Sequence, residues 1–132
     1  MFVDTSVIGA ILAREADADD FAAKLSSTSG CCTSGSVILE AAMRLSSLLR
    51  VDPIDVEIQI RRLLDEARIL IVPIDAEVAK RAVAAFSRFG KGRGHPAQLN
   101  LADCMSYACA VARGVPLLFK GDEFARTDIA VA

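Results

Sequence analysis

LNLADCMSYACAVARG, Leu99 to Gly114, followed by VPLLF, Val115 to Phe119, reads as a helix feeding a strand. Apart from Asp103 and Ser106, every position from Leu101 to Ala112 is apolar or small. A helix that is apolar nearly all round is expected inside a domain. A carboxylate carried into such a place costs on the order of several kcal/mol unless something positive meets it. No cation stands beside Asp103 in the sequence, but three other acids could share one with it: Asp4, Glu40 and Asp122.

The chain to either side repeats the same alternation. Phe2-Val3 is a short strand ending at Asp4-Thr5-Ser6, and a helix through Val7, Ile8, Ala10, Ile11 and Leu12 follows, with Thr5 or Ser6 as its N-cap. Residues 16–25 read as a second helix whose acids crowd its first turn, where the helix dipole favours them. Cys31-Cys32-Thr33 is a second strand, and Ser34-Gly35-Ser36 opens a helix through Leu48. Asp52-Pro53 is a helix start, Asp as N-cap and Pro at the first helical position. Ile69 to Val72 reads as a strand buried on both faces, and Asp75 to Phe89 as a helix. The loop Gly90-Lys91-Gly92-Arg93-Gly94-His95-Pro96 is basic and glycine-rich, and the tail to Ala132 offers a further short edge strand. Strands alternating with helices predict an α/β sandwich with a mainly parallel sheet covered on both faces.

The 132 residues are expected to form one domain, 1–132. An apolar fraction of 53% with 24% charged residues is that of an ordinary globular protein. There is no apolar run of membrane-spanning length and no leader pattern, so a cytoplasmic protein without a membrane partner is expected. A net charge of −2 argues against a broad basic nucleic-acid footprint, but a local basic loop and a bound metal can still serve a nucleic-acid substrate. The cysteines at 31, 32, 104 and 109 form no C-x-x-C pair, so they read as free thiols in the core, neither zinc ligands nor disulfides.

Each acid has an ordinary reading beside the functional one. Asp4 suits a helix N-cap, Glu40 a solvated helix face, Asp103 a capping box with Asn100, and Asp122 a turn after Gly121. Together they say more. Parallel α/β sheets bind ligands outside the carboxyl ends of their strands, and Asp4 and Asp122 both fall just after strands. Carboxylates converging there repel one another unless a divalent cation holds them. Oxygen ligands without histidine or thiolate select Mg²⁺ or Mn²⁺. Such a site activates water and neutralises the charge that builds on a phosphate under in-line attack. Lys91 and Arg93 are candidates for holding a nucleic-acid backbone, whereas His95, a lone loop histidine, reads as a surface residue.

The segments FVDTSVIGAIL, TSGSVILEAAMRL, RFGKGRGHPAQLNLADCMSYACA and PLLFKGDEFARTDI resemble PIN-domain proteins, and most of all the VapC-type toxins of bacterial toxin–antitoxin pairs. The resemblance implies a PIN-like five-stranded parallel sheet and a Mg²⁺- or Mn²⁺-dependent endoribonuclease with an acidic active site. It matches Asp4, Glu40, Asp103 and Asp122 to the catalytic acids, with Asp4, Asp103 and Glu40 as metal ligands and Thr5 or Ser6 hydrogen-bonded to them. Where the family often has Thr-x-Asp, this chain has Lys120-Gly121-Asp122-Glu123, so Glu123 stands as an alternative fourth acid. The implied partners are an RNA substrate, a cognate antitoxin and a second copy in a homodimer.

Three other readings compete. One is a PIN-like binding domain without activity. Another is a receiver-like phosphoacceptor domain, with Asp75 phosphorylated beside Lys120. The third is an aspartyl phosphatase with Asp4 as nucleophile, which needs a second acid two residues on, where Ser6 stands.

Overall fold

The computed structural model describes residues 1–132. Four parallel strands, β1 (Phe2–Val3), β2 (Cys32–Ser34), β3 (Leu70–Val72) and β4 (Leu117–Leu118), lie in the order β3-β2-β1-β4. Phe2 faces both Cys32 and Leu117, which places β1 at the centre. The helices are α1 (Thr5–Leu12), α2 (Ala18–Ser27), α3 (Gly35–Leu49), α4 (Pro53–Glu66), α5 (Ala76–Phe89) and α6 (Leu101–Arg113). One apolar cluster of 32 residues forms the core. All four cysteines are free and buried in it, as expected. Thr33, fully buried, donates its hydroxyl to the Val3 carbonyl at 2.9 Å, so its polar atom enters the core already paired.

The expected fifth strand is reduced to a single bridge, Leu117 to Val131, outside β4. Leu117 N–H meets the Ala130 carbonyl and Ala132 N–H returns to Leu117, but a 3₁₀ turn at Phe124–Arg126 uses up the chain before these last residues. The strand read as buried on both faces is corrected as well. Being last in the sheet, β3 leaves Leu70 67% exposed and Ile71 exposed, and only Val72 is buried. Edge position, which no local pattern encodes, overrides the apolar run. The acid-rich helix begins two residues later than read and runs to Ser27.

Helix α6 is not buried all round. Cys104 and the run from Ser106 to Ala110 are buried, but Leu101 is 80% exposed. Leu101 lines an open apolar groove between α5 and α6 with Val83, Phe86 and Met105. The helix ends where Gly114 takes the left-handed conformation at φ 64°. The basic loop before α6 is closed at its neck by paired bonds between Phe89, Lys91 and Leu99. There Gly90 packs so tightly on Phe86 that a Cβ would collide with it.

Topology places the edge that matters. From β1 the chain moves outward through β2 to β3, then crosses back to β4 on the other side of β1. The carboxyl ends of β1 and β4 therefore flank a switch point, where open α/β sheets hold ligands. A helix preceding a parallel strand runs antiparallel to it, so the N-terminus of α6 reaches the same edge. The same order excludes the phosphoacceptor reading: Asp75 follows β3 and Lys120 follows β4, the two opposite edges.

Candidate active site

Asp4 emerges from β1 into this edge, and it is Asp4, not Thr5 or Ser6, that caps α1. Its Oδ2 accepts from the Ser6 amide at 3.0 Å and the Ser6 hydroxyl at 2.7 Å. Ser6 Oγ in turn accepts from the Lys120 amide at 2.9 Å, which ties the ends of β1 and β4 together through one hydroxyl. Only 5% of Asp4 is exposed. Such burial is tolerable because one carboxylate oxygen already has two donors.

Glu40 lies one and a half turns into α3 on a half-buried face. Thr5 Oγ1 donates to its Oε2 at 2.6 Å, and Arg44 stands 3.7 Å from its Oε1. Thr5 and Ser6, expected to support the acids, thus hold one each.

Asp103 is both the capping-box residue and a wall of the cleft. Its Oδ2 accepts from the Asn100 amide at 2.8 Å, while its own amide donates to Asn100 Oδ1 at 3.0 Å. The helix N-terminus favours its charge, yet its pKa is pushed up to about 6. Burial is the main cause. The Asn100 bond opposes it, and the neighbouring charges of Asp4, Glu40 and Glu123 add to it.

These side chains line one cleft of about 450 Å³, with Ser6, Arg44, Asn100 and Lys120 between them. Glu123 and Gly121 line it; Asp122 does not. The structure therefore brings Asp4, Glu40 and Asp103 together and puts Glu123 where Asp122 was read. Gly121, at φ 111°, turns the backbone so that the second acid, not the first, comes into the cleft. A glycine followed by two acids signals such a turn without saying which acid it aims.

The other candidates lie elsewhere. Lys91 and Arg93 are exposed on the loop and do not line the cleft; Arg93 lies over the Phe86 ring. His95 packs edge-on against Phe89 with centroids 4.9 Å apart, and its Nδ1 accepts from the Ala97 amide, so it is a structural residue of that loop. Lys120 and Arg44 were missed as cleft residues. Lys120 donates its ammonium to Glu15 and Asp17, and those bonds hold its pKa above the usual range.

No three acidic, histidine or cysteine side chains stand close enough to form a ready-made metal cage. The reason is visible in the hydrogen bonds: Asp4 is drawn to Ser6, Glu40 to Thr5, and Asp103 to Asn100. The donor chemistry nevertheless suits a hard divalent ion. It consists of carboxylate oxygens only, close enough in charge that three of them raise the pKa of the fourth.

The PIN domain family model matches residues 1–130. Ribonuclease VapC28 of Mycobacterium tuberculosis is 40% identical over 129 residues, which span 98% of this chain and 95% of the relative. A VapC ribonuclease of Rhizobium meliloti is 39% identical over 140 residues, 97% of this chain and 98% of its own length. Among solved structures, M. tuberculosis VapC20, described as a sarcin–ricin-loop-cleaving toxin, superposes with a TM-score of 0.77 at 16% identity, covering 99% of this chain and 97% of that one. A toxin–antitoxin complex from Klebsiella pneumoniae superposes with a TM-score of 0.72 at 18% identity, covering 99% and 95%.

Proposed function

The chain belongs to the PIN-domain family of VapC ribonucleases, and from this we propose that it is an endoribonuclease toxin of a toxin–antitoxin module, cutting RNA at the cleft of Asp4, Glu40, Asp103 and Glu123. The observation that carries this reading is geometric: acids from four separate parts of the chain line one cleft at the sheet's switch point.

The chemistry follows from what lines the cleft. Ser6 is the one hydroxyl nucleophile lining it, and its oxygen is already committed to Asp4 and the Lys120 amide. The protein thus offers no free hydroxyl, and in the proposed hydrolysis water attacks: its oxygen bonds to phosphorus and gives up a proton to solvent, while the bond to the leaving ribose oxygen breaks and that oxygen takes up a proton. Asp4, Glu40 and Asp103 are the residues that would hold Mg²⁺ or Mn²⁺, which when bound supplies a nucleophile from water at neutral pH and offsets the phosphate's growing charge. Ser6 and Thr5 fix the directions in which Asp4 and Glu40 present their free oxygens.

Two surfaces support the proposed partners. The groove of Val83, Phe86, Leu101 and Met105 is an apolar face suited to a second copy. The exposed Leu39 and Met43 on α3, with Ile54 and Ile58 on α4, suit an amphipathic antitoxin segment. No helix is long and apolar enough to cross a membrane.

The test is cleavage of total bacterial RNA by the purified protein with Mn²⁺, with Mg²⁺ and with EDTA, reading the new RNA ends by sequencing. Cleavage should require the ion and fall at least about 100-fold in Asp4→Asn and in Asp103→Asn, a loss of the size seen when a group central to catalysis is removed. Cleavage that survives both substitutions refutes the assignment. RNA binding without cleavage under any ion indicates the inactive binding domain instead.

A further inference from the structure

A second cleft, of about 490 Å³, opens directly off the acidic one and shares Ser6, Arg44 and Lys120 with it. It runs between α1 and α3, with Gly9 on one side and Ala41, Leu45 and Leu48 on the other, and Thr5 and Glu15, the latter paired with Lys120, also line it. We propose that this cleft is an RNA subsite in which Arg44 binds a phosphate next to the one cut and the apolar wall receives that nucleotide's base. The inference rests on the ribonuclease reading and names how the strand leaves its site.

A chain cut in its middle must leave the acidic cleft in two directions, and this groove is continuous with it. The strand carries negative charge past Glu40, so a cation is needed at the junction. Lys120 is already engaged by Glu15 and Asp17. Arg44 is not committed in this way. Its only ion-pair partner is Glu40, one turn back at 3.7 Å, and its side chain is 67% exposed. A helix pair of that kind is weak and is readily given up for a phosphate, which the guanidinium grips with two parallel N–H donors. The wall beyond Arg44 offers a base apolar contact chiefly through Leu48, which is exposed, with the buried Ala41 and Leu45 beside it. A peptide strand fits less well. Both walls are helices whose backbone groups are bonded internally, so they offer no sheet edge to extend.

Gly9 supplies a way to close the groove without disturbing the acids. A Cβ at Gly9 meets nothing within 4 Å, and leucine is the better helix former. Gly9→Leu therefore fills the subsite while α1 stays intact. The experiment measures the affinity of a labelled single-stranded RNA of mixed sequence, in EDTA at several salt concentrations, for wild type, Arg44→Gln, Arg44→Lys and Gly9→Leu. Cleavage of the same RNA with Mn²⁺ is followed in parallel.

Arg44→Gln should weaken binding about 5- to 10-fold and flatten the plot of log affinity against log salt by about 0.7, one phosphate contact on a single strand. It should raise KM more than it lowers kcat, and Arg44→Lys should recover most of the affinity. Gly9→Leu should weaken binding to a similar degree without lowering Tm. An Arg44→Gln variant with unchanged affinity and salt slope overturns the proposal, as does a fall in kcat at constant KM, which would mean that Arg44 acts on Glu40. Unchanged RNA affinity in both Arg44→Gln and Gly9→Leu also overturns it and assigns the groove to a protein segment. Wild type that binds RNA through Arg44 but never cuts it removes the ribonuclease reading and leaves the subsite standing. Cleavage indifferent to Arg44 does the reverse.

Discussion

Asp103 and Asp128 lie against the same helix and meet opposite surroundings. Asp103 sits in the first turn of α6, and its pKa is pushed up, first by burial and then by the charges of Asp4, Glu40 and Glu123. Asp128 comes from the C-terminal tail to Tyr107, one turn further along α6, whose hydroxyl donates to it at 2.5 Å, while Arg88 binds its other oxygen at 2.7 Å. The Tyr107 bond, then Arg88, hold its pKa below the usual range. One carboxylate is crowded by like charge and the other is fully partnered. Asp128 meets a hydroxyl and a guanidinium, whereas Asp103 meets one backbone amide and three other acids, the surroundings that the proposed ion site calls for.

The two adjacent acids after β4 divide in the same way. If like-charge crowding marks the working acids, Glu123 belongs with Asp103 and Asp122 does not. Glu123→Gln should lower ion-dependent RNA cleavage about 10-fold, while Asp122→Asn stays within about 2-fold, in keeping with the tenfold-per-1.4 kcal/mol scale on which one supporting carboxylate acts. Equal losses, or the larger loss at Asp122, would break the pairing of crowding with function.

How far the sequence could be read follows the same division. Asp4, Glu40 and Asp103 were legible because each lies at or near the start of a helix that follows or precedes an apolar strand, and the strand-and-helix alternation alone brings such positions to one edge. The strong local signals also held: Asp52-Pro53 opens α4, with the Asp52 side chain capping Ile54 at 2.8 Å, and Gly114 ends α6. What failed depended on the assembled sheet. Leu70 and Ile71 read as buried because strand order is set by distant pairing, and Leu101 read as core because the groove beside it exists only once α5 packs on α6. Arg44 and Lys120 stayed hidden because nothing local to either residue shows that α3 and the β4 exit share a wall.

A smaller effect separates the two aspartates by stability. The pKa of Asp103 is higher folded than unfolded, so the folded protein binds more protons between about pH 4 and 6 and loses stability as pH rises through that window. Two units would amount to about 3 kcal/mol. Asp103 is half-buried, so solvent screens part of the interaction, and about 1 kcal/mol is the expected size. Asp103→Asn keeps an oxygen to accept from the Asn100 amide and removes the charge. It should raise the stability of the metal-free protein by about that amount at pH 7.5, and the advantage should vanish near pH 4. Denaturant melts at the two pH values measure it. A variant less stable than wild type at pH 7.5 would mean that the cap bond outweighs the crowding.

Asp128 should show the opposite sign and the smallest effect. Its pKa is lowered, so its contribution is present above the unfolded carboxylate range and disappears as pH falls through the folded value. Asp128→Ala removes the acceptor for Tyr107 and the anion for Arg88, but both ends of the ion pair are more than half exposed. Solvent replaces much of what is lost, which leaves a cost of about 0.5 to 1 kcal/mol. The residue lies in the tail that follows the Glu123 turn, and it does not line the acidic cleft. Cleavage should therefore stay near the wild-type rate at temperatures well below Tm. Denaturant melts at pH 7.5 and pH 3 should show the stability difference shrinking at the lower pH, where the wild-type carboxylate is itself being protonated. A loss of cleavage without loss of stability would transfer Asp128 from the partnered class to the working one and remove the contrast with Asp103.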